Sequence, residues 1–224
     1  MHPQDPALTR LSSAQRAAWR HVEETVRCRQ SAARARVADL LASSGCSEAM
    51  FDAATECIRQ YARVVVHFHP DQIGVKPITV AEALVEDGQY RSQFETGLSS
   101  GSLTAFPGGA RDAWEKTLFG GAYHGLDSSI VDRPKYGALE LIRYPDGPWP
   151  RFGSCYFVLR QEVSRRTFSG SEQPDASERL GTIERLECVL APLLAEVAAG
   201  GRAHVPWPPF VAPTLGVKNL TVPE

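Results

Sequence analysis

Seven consecutive residues, Arg63-Val64-Val65-Val66-His67-Phe68-His69, form a β-branched and aromatic run that stops at Pro70. Such a run favours a strand, and proline cannot continue a ladder because it has no amide hydrogen. Its apolar character is nearly continuous rather than alternating, which predicts an interior strand covered on both faces. Everything before it reads differently. Ser12 and Gln15 have capping-box spacing, an Ala- and Arg-rich segment follows to Ser44, and Trp19, Val22, Val26, Val37, Leu40 and Leu41 make a broken apolar stripe. Gly45 suits a helix stop, and a second helix is expected from Ser47 to Tyr61. The fold class is therefore α+β, with a helical region over 1–61 and a strand-rich core over 62–224. Regular β–α alternation is missing, as are the GxGxxG and Walker sequences.

Further along, Thr79 and Glu82 repeat the capping-box spacing and open a short helix ending at Gly88. Residues 90–109 are rich in Gly, Ser and Thr and read as an extended loop, long enough to suggest a function. Residues 112–118 suit one or two helical turns. Residues 136–143 and 152–160 read as two strands joined by the turn Pro145-Asp146-Gly147. A polar stretch, 169–177, precedes a helix expected over 180–198 and closed by Gly200-Gly201. The proline-rich end from Val205 does not look like a central strand.

The near-neutral balance, 24 Lys and Arg against 26 Asp and Glu, argues against a nucleic-acid partner. No apolar run reaches the roughly eighteen residues needed for a membrane-spanning helix. Residues 1–10 are polar, with no h-region of an ordinary signal peptide. Five cysteines without CxxC spacing read as free, mostly buried thiols, implying a reducing compartment: a bacterial cytoplasm or a host cytosol. The Arg cluster Arg27, Arg29, Arg34 and Arg36 reads as a solvated helix face.

Several groups of residues suit chemistry. His67 and His69 are two apart on a strand, so both imidazoles face the same way, with Asp71 close by. With His124 and Asp127 as further donors they describe a metal-dependent hydrolase; the structural alternative is one histidine bonded to the following loop and one packed. Phe94 lies in the segment Tyr90–Gly101, where it is either a lid over a flat ligand or an anchor in the core. Ser154 lacks the GxSxG elbow, and Cys155 has no evident histidine partner.

Five collinear motifs, HFHPD (67–71), QFETGLSSG (93–101), GGARDAWEKTLFGGAY (108–123), RPKYGAL (133–139) and PRFGSCYF (150–157), resemble one bacterial family of unknown function. That family is similar to bacterial ADP-ribosyltransferases, including effectors that attach ADP-ribose to a threonine of ubiquitin. The resemblance implies an ADP-ribosyltransferase-like mixed β core, NAD as substrate and a protein acceptor, with ubiquitin the foremost candidate. It also implies a bacterial cytoplasmic protein or one delivered to the host cytosol. By the same resemblance Arg63 serves the NAD phosphate or ribose, with Arg91 its competitor. Phe94 stacks on nicotinamide, His67 or His69 bonds a ribose hydroxyl, and the turn Gly97–Ser100, including Ser99, shapes the wall. One feature departs from the family pattern. A late strand carrying an acidic residue is expected, yet no Asp or Glu lies between Glu196 and Glu224. Glu95, Asp132 and Glu140 are the substitutes, Glu95 being assigned the catalytic place. If none serves, the chain is a weak or non-catalytic NAD- or ubiquitin-binding module.

Overall fold

The computed structural model describes residues 11–74, 76–98, 105–126, 128–141, 145–170, 180–199 and 210–214. The chain opens with the long helix α1 (Ser13–Ser44). Ser12 caps it reciprocally with Gln15, and Gly45 ends it in the left-handed conformation at φ 70°. Its buried side chains include Ala18, Val22 and Val26, then Ala33, Val37 and Leu41. The four-residue steps place one stripe along the helix. That stripe packs on Leu118, Phe119, Phe168, Leu180 and Ala191, so the first helix shares a core with distant parts of the chain. Helix α2 (Glu48–Tyr61), capped by Ser47, leads directly into β1 (Arg63–Phe68).

After β1 come α3 (Val80–Asp87) and the single turn α4 (Gln93–Thr96), then α5 (Ala110–Leu118) and β2 (Lys135–Glu140). β3 (Cys155–Val158), the turn α6 (Gln161–Ser164), β4 (Phe168–Gly170), β5 (Gly181–Thr182), α7 (Glu187–Ala198) and β6 (Phe210–Thr214) follow. One sheet takes the order β3-β1-β2-β6-β4-β5, and every described pair is antiparallel. The architecture is α+β: a helical region first, then a small sheet core. Among the described residues no helix is long and apolar enough to cross a membrane.

β1 is an interior strand, as its composition predicts: β2 pairs along one edge and β3 along the other. Several expectations need correction. The strands on either side of Pro145-Asp146-Gly147 are not a hairpin, because β1 lies between them. Apolar residues on both faces make β1 the natural centre, and the connection from β2 must cross it. The 90–109 segment is not uniformly loop; Ser92 and Glu95 form a capping box that opens α4, and Gly97 closes it at φ 66°. The last helix starts at Glu187, since Gly181–Thr182 extends the sheet first. The proline-rich end does supply an inner strand: β6 runs between β2 and β4. Pro213 falls where the register slips, between Lys135↔Thr214 and Gly137↔Val211, and an irregular ladder tolerates a missing donor there. The cysteines are free, but Cys28, Cys46, Cys57 and Cys155 are exposed and Cys188 is buried. The expectations for 171–179 and for Gly200-Gly201 fall outside the described residues.

Candidate functional site

On an antiparallel pair, directly opposed residues share a face. Arg63, Val65 and His67 of β1 therefore lie on the same side as Glu140, Ala138 and Tyr136 of β2, given the register Arg63↔Glu140 and Val65↔Ala138. Val64, Val66 and Leu139 fill the core on the opposite side. The first face is not filled. A cavity of about 230 Å³ lies over Val65, His67, Tyr136 and Ala138. Its sides come from α3, from α4 with Gln93 and Glu95, from Arg111 of α5, and from Trp149 and Phe152 of the β2–β3 connection. Arg91, His69, Lys76 and Tyr90 stand around it as well.

Glu95 reaches this wall because of the capping box that makes α4. Its Oε2 accepts the Ser92 amide hydrogen at 2.8 Å and lies 3.7 Å from Lys135 Nζ. The side chains of Glu95 and Lys135 are each only 9% exposed, so the pair interacts with little screening. Burial pulls the Lys135 ammonium below the ordinary lysine range, and Glu95 opposes that pull. Arg91 bonds Asp87 at 2.7 Å and stands 3.9 Å from the other Glu95 oxygen. Burial pushes the Tyr90 hydroxyl up to about 12, so it stays protonated and donates to the His67 carbonyl at 3.3 Å.

Behind the cavity floor lies a buried charged cluster that the sequence motifs did not reveal. Glu115 is fully buried and accepts from Arg133 Nη1 at 2.8 Å and from the Tyr136 hydroxyl. The other Arg133 nitrogen meets Asp112 at 2.6 Å, and His124 Nε2 meets the same Asp112 oxygen at 3.0 Å. Burial raises the Glu115 carboxyl above the usual carboxylate range despite its bonds to Tyr136 and Arg133. Burial, joined by the Glu115 charge, holds the Tyr136 hydroxyl well above the ordinary tyrosine value. The Arg111 guanidinium stacks over Tyr136 at 4.8 Å and over Trp114 at 5.2 Å. The cluster thus anchors the one tyrosine of β2 that faces the cavity. The spacing Arg111, Asp112, Glu115 puts three charged residues on one side of a short helix, which was the available signal.

The sequence-based site is gathered in part. His67, His69, Arg91 and Glu95 line the cavity. Phe94 does not: it is 6% exposed, and the Arg133 guanidinium covers its ring at 4.4 Å. Thus buried and outside the lining, Phe94 packs as a core anchor rather than presenting its ring to the cavity. Arg63 shares the cavity's sheet face but is not part of its lining, and its Nη1 is buried without a hydrogen-bond partner. Gly97 ends α4 outside the lining, and Ser99 and Asp127 fall outside the described residues. His67 bonds through both ring nitrogens, to the Gly153 carbonyl and the Trp149 amide, leaving no lone pair for a metal or a ribose. Asp132 and Glu140 do not line the cavity either. Among the described residues no three of His, Cys, Asp and Glu assemble into a metal site.

The family described as protein of unknown function (DUF3626) matches residues 63–203, more than half of the chain. No curated protein matches it.

Proposed function

We propose, for a chain that belongs to the DUF3626 family, an NAD-dependent mono-ADP-ribosyltransferase whose cofactor site is the cavity over β1 and β2 and whose acceptor is a protein, with ubiquitin the first to test. The observation that carries this reading is the Glu95 carboxylate, held on the wall of a cavity that also presents Arg91, Arg111, Tyr90 and Tyr136; the other carboxylate of the lining, Asp87, is bonded to Arg91 at 2.7 Å. Guanidinium groups suit a diphosphate, and aromatic rings suit the flat bases. The motif resemblance adds the reaction class. The enclosed volume of about 230 Å³ is below the roughly 300–1,000 Å³ of common ligand pockets, so one end of the dinucleotide would enter and the rest lie along the mouth.

In this reaction the bond from ribose C1′ to nicotinamide breaks, and nicotinamide leaves with the electron pair as a neutral ring. The ribose becomes oxocarbenium-like, and an acceptor hydroxyl oxygen forms the new bond to C1′. Glu95 supplies negative charge beside the forming cation and takes the hydroxyl proton. It stands in for the acid that the C-terminal segment lacks. Arg91 replaces Arg63 as the cofactor cation, and Tyr136 replaces Phe94 as the stacking ring, because they are the ones that line the cavity.

The test is incubation of the chain with labelled NAD and ubiquitin, alongside calorimetry with NAD alone. Glu95→Gln keeps the capping geometry, since glutamine serves at that helix position. It should bind NAD as the parent does and lose at least a hundredfold in transfer. Arg91→Ala should weaken NAD binding itself. Absence of heat with NAD together with absence of label sinks the reading. Binding without transfer by the parent chain favours the second reading, a binding module, which the missing late carboxylate suggests.

A further inference from the structure

The β2–β3 connection holds two of the cavity's aromatic walls, Trp149 and Phe152, and no regular strand pairing ties down its described residues. The Tyr156 hydroxyl donates to its Pro145 carbonyl at 3.3 Å, and the His67 side chain bonds it at two further points. His67 Nδ1 lies 3.0 Å from the Gly153 carbonyl, and His67 Nε2 lies 3.1 Å from the Trp149 amide nitrogen. A carbonyl only accepts and an amide N–H only donates. Nδ1 must therefore carry the proton and Nε2 must offer its lone pair, which fixes a neutral imidazole in one tautomer.

The surrounding backbone fits that ring closely. A methyl group at Gly147, φ 74°, would stand 2.7 Å from His67 Cε1. At Gly153, φ 149°, it would stand 2.1 Å from the Phe68 carbonyl. The connection thus lies flat on β1 and its turn sits against the imidazole. The Tyr156 ring of β3 lies 5.2 Å from the imidazole, and the Tyr90 hydroxyl bonds the His67 carbonyl. Arg151, which stacks on Trp149 and Phe152, and Asp146 are charged residues of the same connection.

We infer that His67 is a positioning residue for the cavity: its neutral Nδ1–H tautomer pins the Trp149–Gly153 segment onto β1 and so sets Trp149 and Phe152 as ligand-facing walls. The inference rests on the cavity being the ligand site proposed above, though not on which ligand enters. A proton added at Nε2 points a donor at a donor, frees the Trp149 amide and lets the wall lift. Burial, only partly opposed by the Gly153 bond, already holds the imidazole below its ordinary value, in keeping with a neutral role.

Three measurements on the full chain test this. Nitrogen-15 chemical shifts of the His67 ring should show a protonated Nδ1 and an unprotonated Nε2 at pH 7.5; the opposite tautomer overturns the inference. Hydrogen exchange at the Trp149 amide, corrected for the intrinsic effect of pH, should lose at least tenfold in protection once His67 is protonated. Unchanged protection across that titration also overturns it. Glutamine places an oxygen near the Nε2 position and asparagine a nitrogen near Nδ1. His67→Gln should keep Trp149 protected at all pH values while His67→Asn does not, and equal protection in the two variants counts against the inference. None of these readouts needs NAD, so failure of the transferase reading leaves them interpretable. Where NAD binds, His67→Asn should raise its Kd and His67→Gln should restore it.

Discussion

Replacing Glu115 with alanine should cost the protein about 3–5 kcal/mol, the range for breaking a buried ion pair by removing one partner. The estimate follows from what the carboxylate leaves behind. Arg133 keeps Asp112 at 2.6 Å but loses its 2.8 Å bond to Glu115, and it is 7% exposed, so water cannot replace the acceptor freely. The Tyr136 hydroxyl loses its acceptor as well. For a chain of 224 residues the loss corresponds to a fall of roughly 6–20 °C in Tm. Urea unfolding followed by circular dichroism, with calorimetry for Tm, measures both. Glu115→Gln separates charge from hydrogen bonding: its carbonyl oxygen still accepts from Tyr136, so it should lose about half as much. Were Glu115→Ala to shift Tm by less than about 3 °C, roughly 1 kcal/mol at this size, the cluster would not be holding the floor of the cavity.

Other perturbations have equally definite outcomes. Gly153→Ala places a methyl group 2.1 Å from the Phe68 carbonyl at φ 149° and should cost roughly 2–4 kcal/mol by urea unfolding, with the loss confined in hydrogen exchange to β1 and the β2–β3 connection. His67 gives a pH signature. Its folded pKa is depressed, so the unfolded chain binds more protons between that value and about 6.5, and stability rises with pH there. The His67 contribution is complete above the unfolded value and disappears as pH falls through the folded one. Tm measured against pH should show this acid-side loss in the parent chain and not in His67→Gln. Ser92→Ala removes the cap of α4 and should cost about 1 kcal/mol. Transfer should fall further than stability, because Glu95 loses the geometry that directs it at the cavity.

What could be read from sequence was whatever depended on neighbours along the chain. The caps at Ser12 and Thr79, the stops at Gly45 and Gly88, and the interior character of β1 all appear where residue type dictates them. The same logic was available at Ser92, where serine and glutamate stand three apart before Gly97, yet the Gly/Ser content of the surrounding segment hid it. Other features depend on contacts between distant residues. That β1 separates β2 from β3 cannot be found from a turn-like Pro-Asp-Gly between two apolar runs, because a crossing connection has the same local chemistry as a hairpin. Phe94 looked like a ligand-facing ring because its neighbours are small and polar. The Arg133 guanidinium, 39 positions later, packs over it.

The same distinction bears on the reaction. A strand order of β1, β2, β6 places the late strand beside the cavity's own strands, where the proposed reaction would call for an acidic residue, but the chain offers none between Glu196 and Glu224. A catalytic carboxylate must reach the ligand, wherever it starts on the chain. In the proposed reading Glu95 takes that part from the cavity wall, on a turn fixed by Ser92 and next to Lys135. If the carboxylate has moved in this way, its neighbourhood controls the chemistry. Lys135→Met should then alter the pH profile of transfer without removing NAD binding, because it takes away the charge 3.7 Å from Glu95 and leaves Arg91 in place. A profile identical to that of the parent would separate Glu95 from the proton-transfer step and remove the strongest ground for placing catalysis in this cavity.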